Sequence, residues 1–344
     1  MTDPIDAGAD ARSALLNEWI AQTLRTRAFA CAPASADASF RRYFRIVPDA
    51  PALGQRTLIA MDAPPPREDC RPFVKVAALL EAAGVHAPRV LAQDVERGFL
   101  LLTDLGDTTY LAALRTGFRP ALFADATDAL LRWQLATREG GLPPYDEALL
   151  RRELALFPEW YVARHLGVTL SDDERDDLAH VSDVLVADHL AQPRVYVHRD
   201  YMPRNLMVCA RNPGVLDFQD AVLGPITYDV VCLYKDAFVS WDEATFLDGV
   251  VRYWEKARRA GLPVGADFHA FFRALEWMGL QRHLKVLGIF ARIRHRDGKA
   301  GYVEDAPRFL GYAKPVARRY PELAPLARLL DRLDGAAPAA GYTF

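Results

Sequence analysis

The spacing of apolar positions changes near residue 102. Before that point they recur in short alternating runs, and beyond it every three or four residues over long stretches. One early stretch, 12–28, is already helical, with Leu15, Leu16, Trp19, Ile20 and Leu24 on a single stripe. Residues 39–47 then alternate, with Phe40, Arg42, Phe44 and Ile46 on one face and Arg41, Tyr43 and Arg45 on the other. Residues 57–61 predict a second strand. The run Asp62-Ala63-Pro64-Pro65-Pro66 stops it, because proline cannot donate to a ladder. Residues 71–83 predict a helix ending at Gly84, and 89–92 and 99–102 predict two more strands.

Beyond Gly106 the helical spacing takes over, at 118–138, 146–166, 172–190, 226–239, 243–260 and 266–291. The expected plan is therefore α+β and bilobal, with a small β-rich N-lobe over 1–104 and a larger helical C-lobe over 105–344. The joint is expected near Thr103-Asp104-Leu105-Gly106.

Composition narrows the class. Hydrophobic residues make up 51% of the 344 and charged residues 25%, the balance of a globular chain. A formal net charge of −3 gives no global reason for nucleic acid or an anionic membrane as a partner. The start, Met1-Thr2-Asp3-Pro4, lacks a basic and apolar leader, and no apolar run reaches the roughly 18 residues a membrane span needs. Cys31, Cys70, Cys209 and Cys232 form no Cys-x-x-Cys pair, so a reducing cytoplasm is expected and a disulfide framework or zinc site is not. The Ala- and Pro-rich tail from Gly335 to Ala340 is expected to be mobile.

Candidate chemistry concentrates in one place. His198-Arg199-Asp200-Tyr201-Met202-Pro203-Arg204-Asn205 is followed by Leu216-Asp217-Phe218. Short strands are expected on either side, at 194–197, 206–209 and 215–216, with a turn at Asn212-Pro213-Gly214. A hairpin then returns Asp217 toward Asn205. An Asp in the loop can orient a hydroxyl and accept its proton, while an Asn and a second Asp offer hard oxygens to Mg²⁺. The chain carries its own control: His295-Arg296-Asp297 repeats the triplet, but Tyr302 stands where Asn is needed, and the flanks read as a basic helix end. Asp200 is thus the expected catalytic base, Arg204 a catalytic cation, and Asn205 and Asp217 the expected metal ligands.

The order of parts over about residues 35–240 resembles the aminoglycoside phosphotransferase superfamily of protein-kinase-like proteins. The resemblance implies ATP and Mg²⁺ as cofactors. It places a phosphate-covering loop at Ser39, Phe40, Arg41, Arg42 and Arg45 and an adenine-binding hinge at Thr103, Asp104 and Leu105. It also gives Asp229, in Gly224-Pro225-Ile226-Thr227-Tyr228-Asp229, the task of bracing the catalytic loop. Asp37-Ala38-Ser39-Phe40-Arg41-Arg42-Tyr43, Asp217-Phe218-Gln219-Asp220-Ala221 and Leu284-Lys285-Val286-Leu287-Gly288-Ile289-Phe290 look more specifically like bacterial anomeric kinases of N-acetylmuramate and N-acetylglucosamine. That likeness implies phosphorylation of a C1 hydroxyl in peptidoglycan recycling, in the cytoplasm, on a small-molecule sugar substrate; a monomer is expected.

Two departures stand out. The phosphate loop has no Gly-x-Gly, and 57–61 has no lysine, so Arg41, Arg42 or Arg45 is expected to supply the positive charge. The partner carboxylate is open between Glu68 and Glu81. For the sugar, Glu153, Phe157 and Trp160 share a helical face, and Glu153, Trp160 and Asp220 are the candidate contacts. Arg282, His283 and Lys285 are candidates for a substrate carboxylate, against a plain solvated face. Other readings are a kinase of another small alcohol, of aminoglycoside, choline or homoserine type, and a nucleotide-binding regulator without transfer activity.

Overall fold

A computed structural model describes residues 4–35, 40–65 and 67–334. Ser39 and the Gly335–Ala340 tail lie outside the described residues. In chain order the first elements are α1 (Pro4–Leu24), β1 (Phe29–Ser35), β2 (Arg42–Pro48), β3 (Leu58–Asp62), α2 (Arg71–Ala82), β4 (Val90–Asp94), β5 (Phe99–Thr103) and α3 (Tyr110–Ala113). Next come α4 (Pro120–Leu135), α5 (Glu147–Leu156), a π-helix (Phe157–His165), α6 (Asp172–Ala191) and β6 (Arg194–Val197). The rest are β7 (Leu206–Met207), β8 (Gly214–Val215), β9 (Val222–Pro225), α7 (Tyr228–Tyr234), α8 (Glu243–Arg259), α9 (Phe268–Asp297), α10 (Ala306–Arg319) and α11 (Ala324–Asp334).

The chain divides into two compact units. The β-rich unit holds the residues up to Ala113 and also Asn205–Asp220; the helical unit holds Leu114–Arg204 and the chain from Ala221 onward. The sequence pattern marks one joint at 104, whereas this division crosses the chain three times. One crossing falls inside the 198–217 motif, between Arg204 and Asn205. Periodicity reports local structure only, so it carries no trace of a segment returning to an earlier unit.

In the β-rich unit the sheet is antiparallel in the order β1-β2-β3-β5-β4. Leu58, Ala60, Phe99 and Leu101 share a face by register, and Leu16, Trp19 and Ile20 of α1 pack on it with Ile46. β5 is buried at all five positions, so both its faces are covered and its run is continuously apolar rather than alternating. Asp62 ends β3 fully buried, and its carboxylate accepts from Arg12 of α1 at 2.7 Å and from Arg42 of β2 at 2.5 Å. β7 and β8 form a two-residue ladder docked on this unit. The Val208 amide donates to the Thr108 carbonyl at 2.8 Å and the Val215 amide to His86 at 2.8 Å. The ladder packs closely at Gly214, where a Cβ would stand 2.8 Å from Leu105 Cδ1 and 3.2 Å from Met207 Cβ, so Leu105 would have to turn aside.

In the helical unit β6 pairs antiparallel with β9, Val197 opposite Val222. This pairing fixes the entry to residues 198–204 and leads directly into α7. The 146–166 helix expected from sequence changes pitch at Phe157, where Pro158 in the first turn cannot donate to the preceding ladder. α9 runs 30 residues, longer than the expected 266–291, and stops where Gly298 adopts φ 71°. Its 295–297 triplet is the exposed end of the helix, with Arg296 paired to Asp297 at 2.6 Å. Two more amphipathic helices, α10 and α11, follow beyond the expected elements.

α9 packs along α5 and the π-helix, and Gly288 sets how closely it can approach. A Cβ there would lie 2.4 Å from the carbonyl carbon and oxygen of Leu156, backbone atoms that cannot turn aside. Gly288→Val is therefore expected to lower unfolding stability by about 1–3 kcal/mol, despite valine's better helix propensity. Urea unfolding checks this; an unchanged midpoint would show that α9 can shift without loss.

Candidate active site

Residues 198–200 are held by backbone and side-chain contacts to different elements of the helical unit. Asp229, at the first turn of α7, is fully buried, and its two oxygens accept the His198 amide at 2.7 Å and the Arg199 amide at 3.0 Å. Burial pushes its carboxyl up to about 7; the two amides oppose the shift and the neighbouring Asp200 adds to it. Arg199 sits at φ 76°, a left-handed conformation that a long side chain rarely adopts and that the hydrogen bonds from the His198 and Arg199 amides to Asp229 sustain. His198 is 1% exposed, and its Nδ1 accepts the Asp200 amide at 3.2 Å, so the ring proton belongs on Nε2. The loop is thus shaped from beneath by His198 and Asp229. Arg204 ends this half, its guanidinium 5.0 Å from the centre of the Phe238 ring.

The other half of the motif lies in the β-rich unit. The β7–β8 ladder brings Asn205 and Asp217 together, with Asn205 Nδ2 3.5 Å from Asp217 Oδ2. The Leu216 amide also donates to the Asn205 carbonyl at 2.9 Å. Asp217 adopts φ 60°, and Gln219 Nε2 holds its other oxygen at 2.9 Å. Phe218 is buried against Phe73 of α2, ring centres 4.6 Å apart, which anchors the turn from which Asp217 projects. An amide oxygen and a carboxylate suit a hard divalent cation, and turning the Asn205 amide over would aim its oxygen at the Asp217 side. These residues fit Mg²⁺ by donor chemistry. Asp220 is exposed, with Gln219 Nε2 3.3 Å from its carboxylate.

The arginines expected to face a nucleotide each have an acidic neighbour. Arg42 binds Asp62, and Arg45 forms a fork to Asp104 at 2.7 and 3.1 Å while also donating to the Gly106 carbonyl at 2.8 Å. Arg41 Nε lies 3.8 Å from Glu68, which precedes α2. Phe40 is 59% exposed, with the Arg67 guanidinium 5.1 Å from its ring centre. Thr103 closes β5; its hydroxyl accepts the Arg89 amide at 2.9 Å. Leu105 packs at Gly214.

The residues expected to face the sugar differ in burial. Glu153 is 5% exposed and saturated with protein partners. Its Oε1 accepts from Arg199 at 2.5 Å and pairs with Lys285 at 3.0 Å, while Oε2 takes the Tyr145 hydroxyl and Gln281 Nε2 at 3.2 Å. Burial pushes its carboxyl up, but Lys285, Arg199 and Tyr145 outweigh that and bring it from 4.5 to about 2. Both its oxygens are thus engaged by protein partners, one of them Arg199 of the loop. Trp160, in the π-helix, is half-buried with Arg164 6.0 Å from its ring centre. Arg282, His283 and Lys285 are interior, at 2%, 2% and 9% exposure, and not a solvated face.

Arg199, Tyr145, Tyr228 and Gln219 were not among the expected site residues, and Lys285 was expected at a substrate carboxylate rather than at Glu153. One signal does exist in the sequence. Polar Gln281, Arg282, His283 and Lys285 are embedded among Trp277, Met278, Leu280, Leu284 and Leu287, so the segment has no solvated stripe. A helix apolar on every side is buried, and its charges must find partners.

Residues 30–268 match the model of the phosphotransferase enzyme family. The chain is similar to a Pseudomonas aeruginosa protein named N-acetylmuramate/N-acetylglucosamine kinase, 59% identical over 307 residues, 89% of each chain. A Neisseria meningitidis protein of the same name is 48% identical over 339 residues, covering 97% of this chain and 99% of the relative. Among solved structures, a choline kinase from Cryptosporidium parvum shares the fold with TM-score 0.62 at 11% identity, covering 93% of this chain and 99% of that one.

Because the Glu153 carboxyl lies below its usual range, its pairing stabilises the fold fully above about pH 4.5, and that contribution is lost as pH falls toward 2. The stability difference between wild type and Glu153→Gln should therefore shrink between pH 5 and about 3, in urea titrations at each pH. A difference independent of pH would mean that the carboxylate is not held by its cations.

Proposed function

Since the chain belongs to the phosphotransferase enzyme family, we propose that it is an ATP- and Mg²⁺-dependent kinase of N-acetylmuramate and N-acetylglucosamine, acting on the anomeric hydroxyl. The near full-length likeness to relatives of that name supports the acceptor. One observation carries the chemistry: Asp200 stands in a loop whose two preceding amides are fixed on the buried Asp229. That bracing makes Asp200 a pre-positioned base rather than a mobile surface carboxylate.

Asp200 would orient the C1 hydroxyl and take its proton as the oxygen attacks the γ-phosphorus; the bond to the β–γ bridging oxygen breaks and ADP leaves. Asn205 and Asp217 would hold Mg²⁺, which neutralises phosphate charge. Gln219 keeps Asp217 in place by its bond to Oδ1. Arg204 would offer charge to the transferring phosphoryl group. Ser39, Phe40 and the Arg41–Glu68 pair would cover the phosphates in place of a glycine-rich loop and a strand lysine. Thr103, Asp104 and Leu105 would border the adenine, and Trp160 and Asp220 remain candidate sugar contacts. Among the described residues no helix is long and apolar enough to cross a membrane. We place the protein in the cytoplasm as a monomer, salvaging amino sugars from peptidoglycan.

ADP release measured with a panel of amino sugars, amino alcohols and aminoglycosides tests the reading. Turnover is expected on the two N-acetyl sugars, and Asp200→Asn should lower kcat by roughly 10²–10⁴-fold. Turnover confined to an aminoglycoside or to choline would discard the acceptor and keep the chemistry. Nucleotide binding without turnover on any acceptor would make the protein a regulator.

A further inference from the structure

We infer that Lys285 of α9 is a positioning residue for the catalytic loop, acting through Glu153 on one side and Tyr228 on the other. The inference rests on the kinase reading above and assigns a task to the Leu284–Phe290 segment, which that reading leaves without one.

The loop has two anchors. Its backbone is fixed on Asp229, and the Arg199 side chain is fixed on Glu153. Lys285 touches Glu153 directly and reaches Asp229 through its chain neighbour Tyr228. Its ammonium pairs with the same Glu153 oxygen that Arg199 uses, at 3.0 Å, and donates at 3.0 Å to the hydroxyl of Tyr228, the chain neighbour of Asp229. The Tyr228 ring in turn stands against Tyr145, centres 5.5 Å apart, and the Tyr145 hydroxyl completes the shell of Glu153. A single buried cation therefore ties the side-chain anchor to the backbone anchor.

Charge supports the same reading. Glu153 with Arg199 is already a closed pair of one anion and one cation. A second interior cation on that carboxylate is unfavourable by desolvation, and removing it would leave a balanced pair behind. Lys285 and Arg199 share that carboxylate, and both also feel the charge of Asp200 in the loop, so the second cation ties Glu153 to the loop as well as to Arg199. The charged groups acting on Lys285 are the carboxylates of Glu153 and Asp200 and the guanidinium of Arg199; Arg282, one turn earlier on α9, is the other buried cation facing Asp200.

The placement of α9 fits this task. Gly288, one turn after Lys285, brings the helix onto the Leu156 backbone, which sets the depth at which Lys285 meets Glu153. One turn before it, Arg282 donates to the Lys235 carbonyl at 3.3 Å, just past the end of α7. α9 so holds α7 at both ends, at Tyr228 and at Lys235, and α7 carries Asp229.

The test compares Lys285→Met, Glu153→Gln and the double variant in the ADP-release assay, with thermal melts and ATP titrations to count folded, nucleotide-competent protein. Lys285→Met is expected to lower kcat per folded molecule about tenfold or more, with both KM values within about twofold. The double variant should lose no more than the worse single one, since the two residues act on one loop. A kcat within about twofold of wild type in Lys285→Met, losses that multiply in the double variant, or a raised sugar KM at unchanged kcat would each overturn the assignment. Wild-type turnover on N-acetylmuramate in the same assay reports separately on the kinase reading.

Discussion

The helical unit depends on one buried carboxylate. Asp229 is surrounded by protein and pushed up to about 7 by burial, yet both its oxygens accept amides from the loop that carries Asp200. A loop held only by its ends would sample many backbone states, and this clamp removes that freedom at two consecutive amides. It also sustains the left-handed backbone at Arg199, a residue type that does not adopt it unaided. The β6–β9 ladder exists in register with this clamp: one strand enters the loop and the other delivers α7 with Asp229 at its head.

A second layer of charge surrounds the clamp. Arg199, Lys285 and Glu153 form an interior cluster with the hydroxyls of Tyr145 and Tyr228. Such clusters are poor sources of net stability, because desolvation offsets most of the Coulombic gain. They are effective at holding geometry, since each member has a charged or hydroxyl partner at hydrogen-bond distance and no alternative in the apolar surroundings. In the β-rich unit Asp62 and Asp104 do comparable work. Each takes an arginine of β2, so the strand beside the expected phosphate loop is held by charge as well as by its ladder.

Much of this was legible in the sequence. The α+β plan, the strands of the front part, and the hairpin joining Asn205 to Asp217 follow from alternation, turn residues and spacing, all local signals. The bracing task of Asp229 came through resemblance, and its two amide bonds carry it out. The triplet at 295–297 was legible as a helix end because the residues around it lacked the strand pattern. The reading of Arg282, His283 and Lys285 as a solvated face did not hold. Apolar residues on every side of these charges keep the segment in the interior.

By itself the sequence determined which chemistry the chain can carry and which local elements present it, because periodicity, turn residues and functional-group spacing act over a few residues. Only the tertiary structure decided the partners. Glu153 was equally compatible with a sugar and with a buried cation pair until α9, more than a hundred residues later, brought Lys285 to it. The return of residues 205–220 to the β-rich unit was likewise invisible to local pattern. The physical reason is the same in both cases. A side chain's role is fixed by which charge or hydrogen-bonding group occupies its last few ångströms, and packing supplies that group from far along the chain.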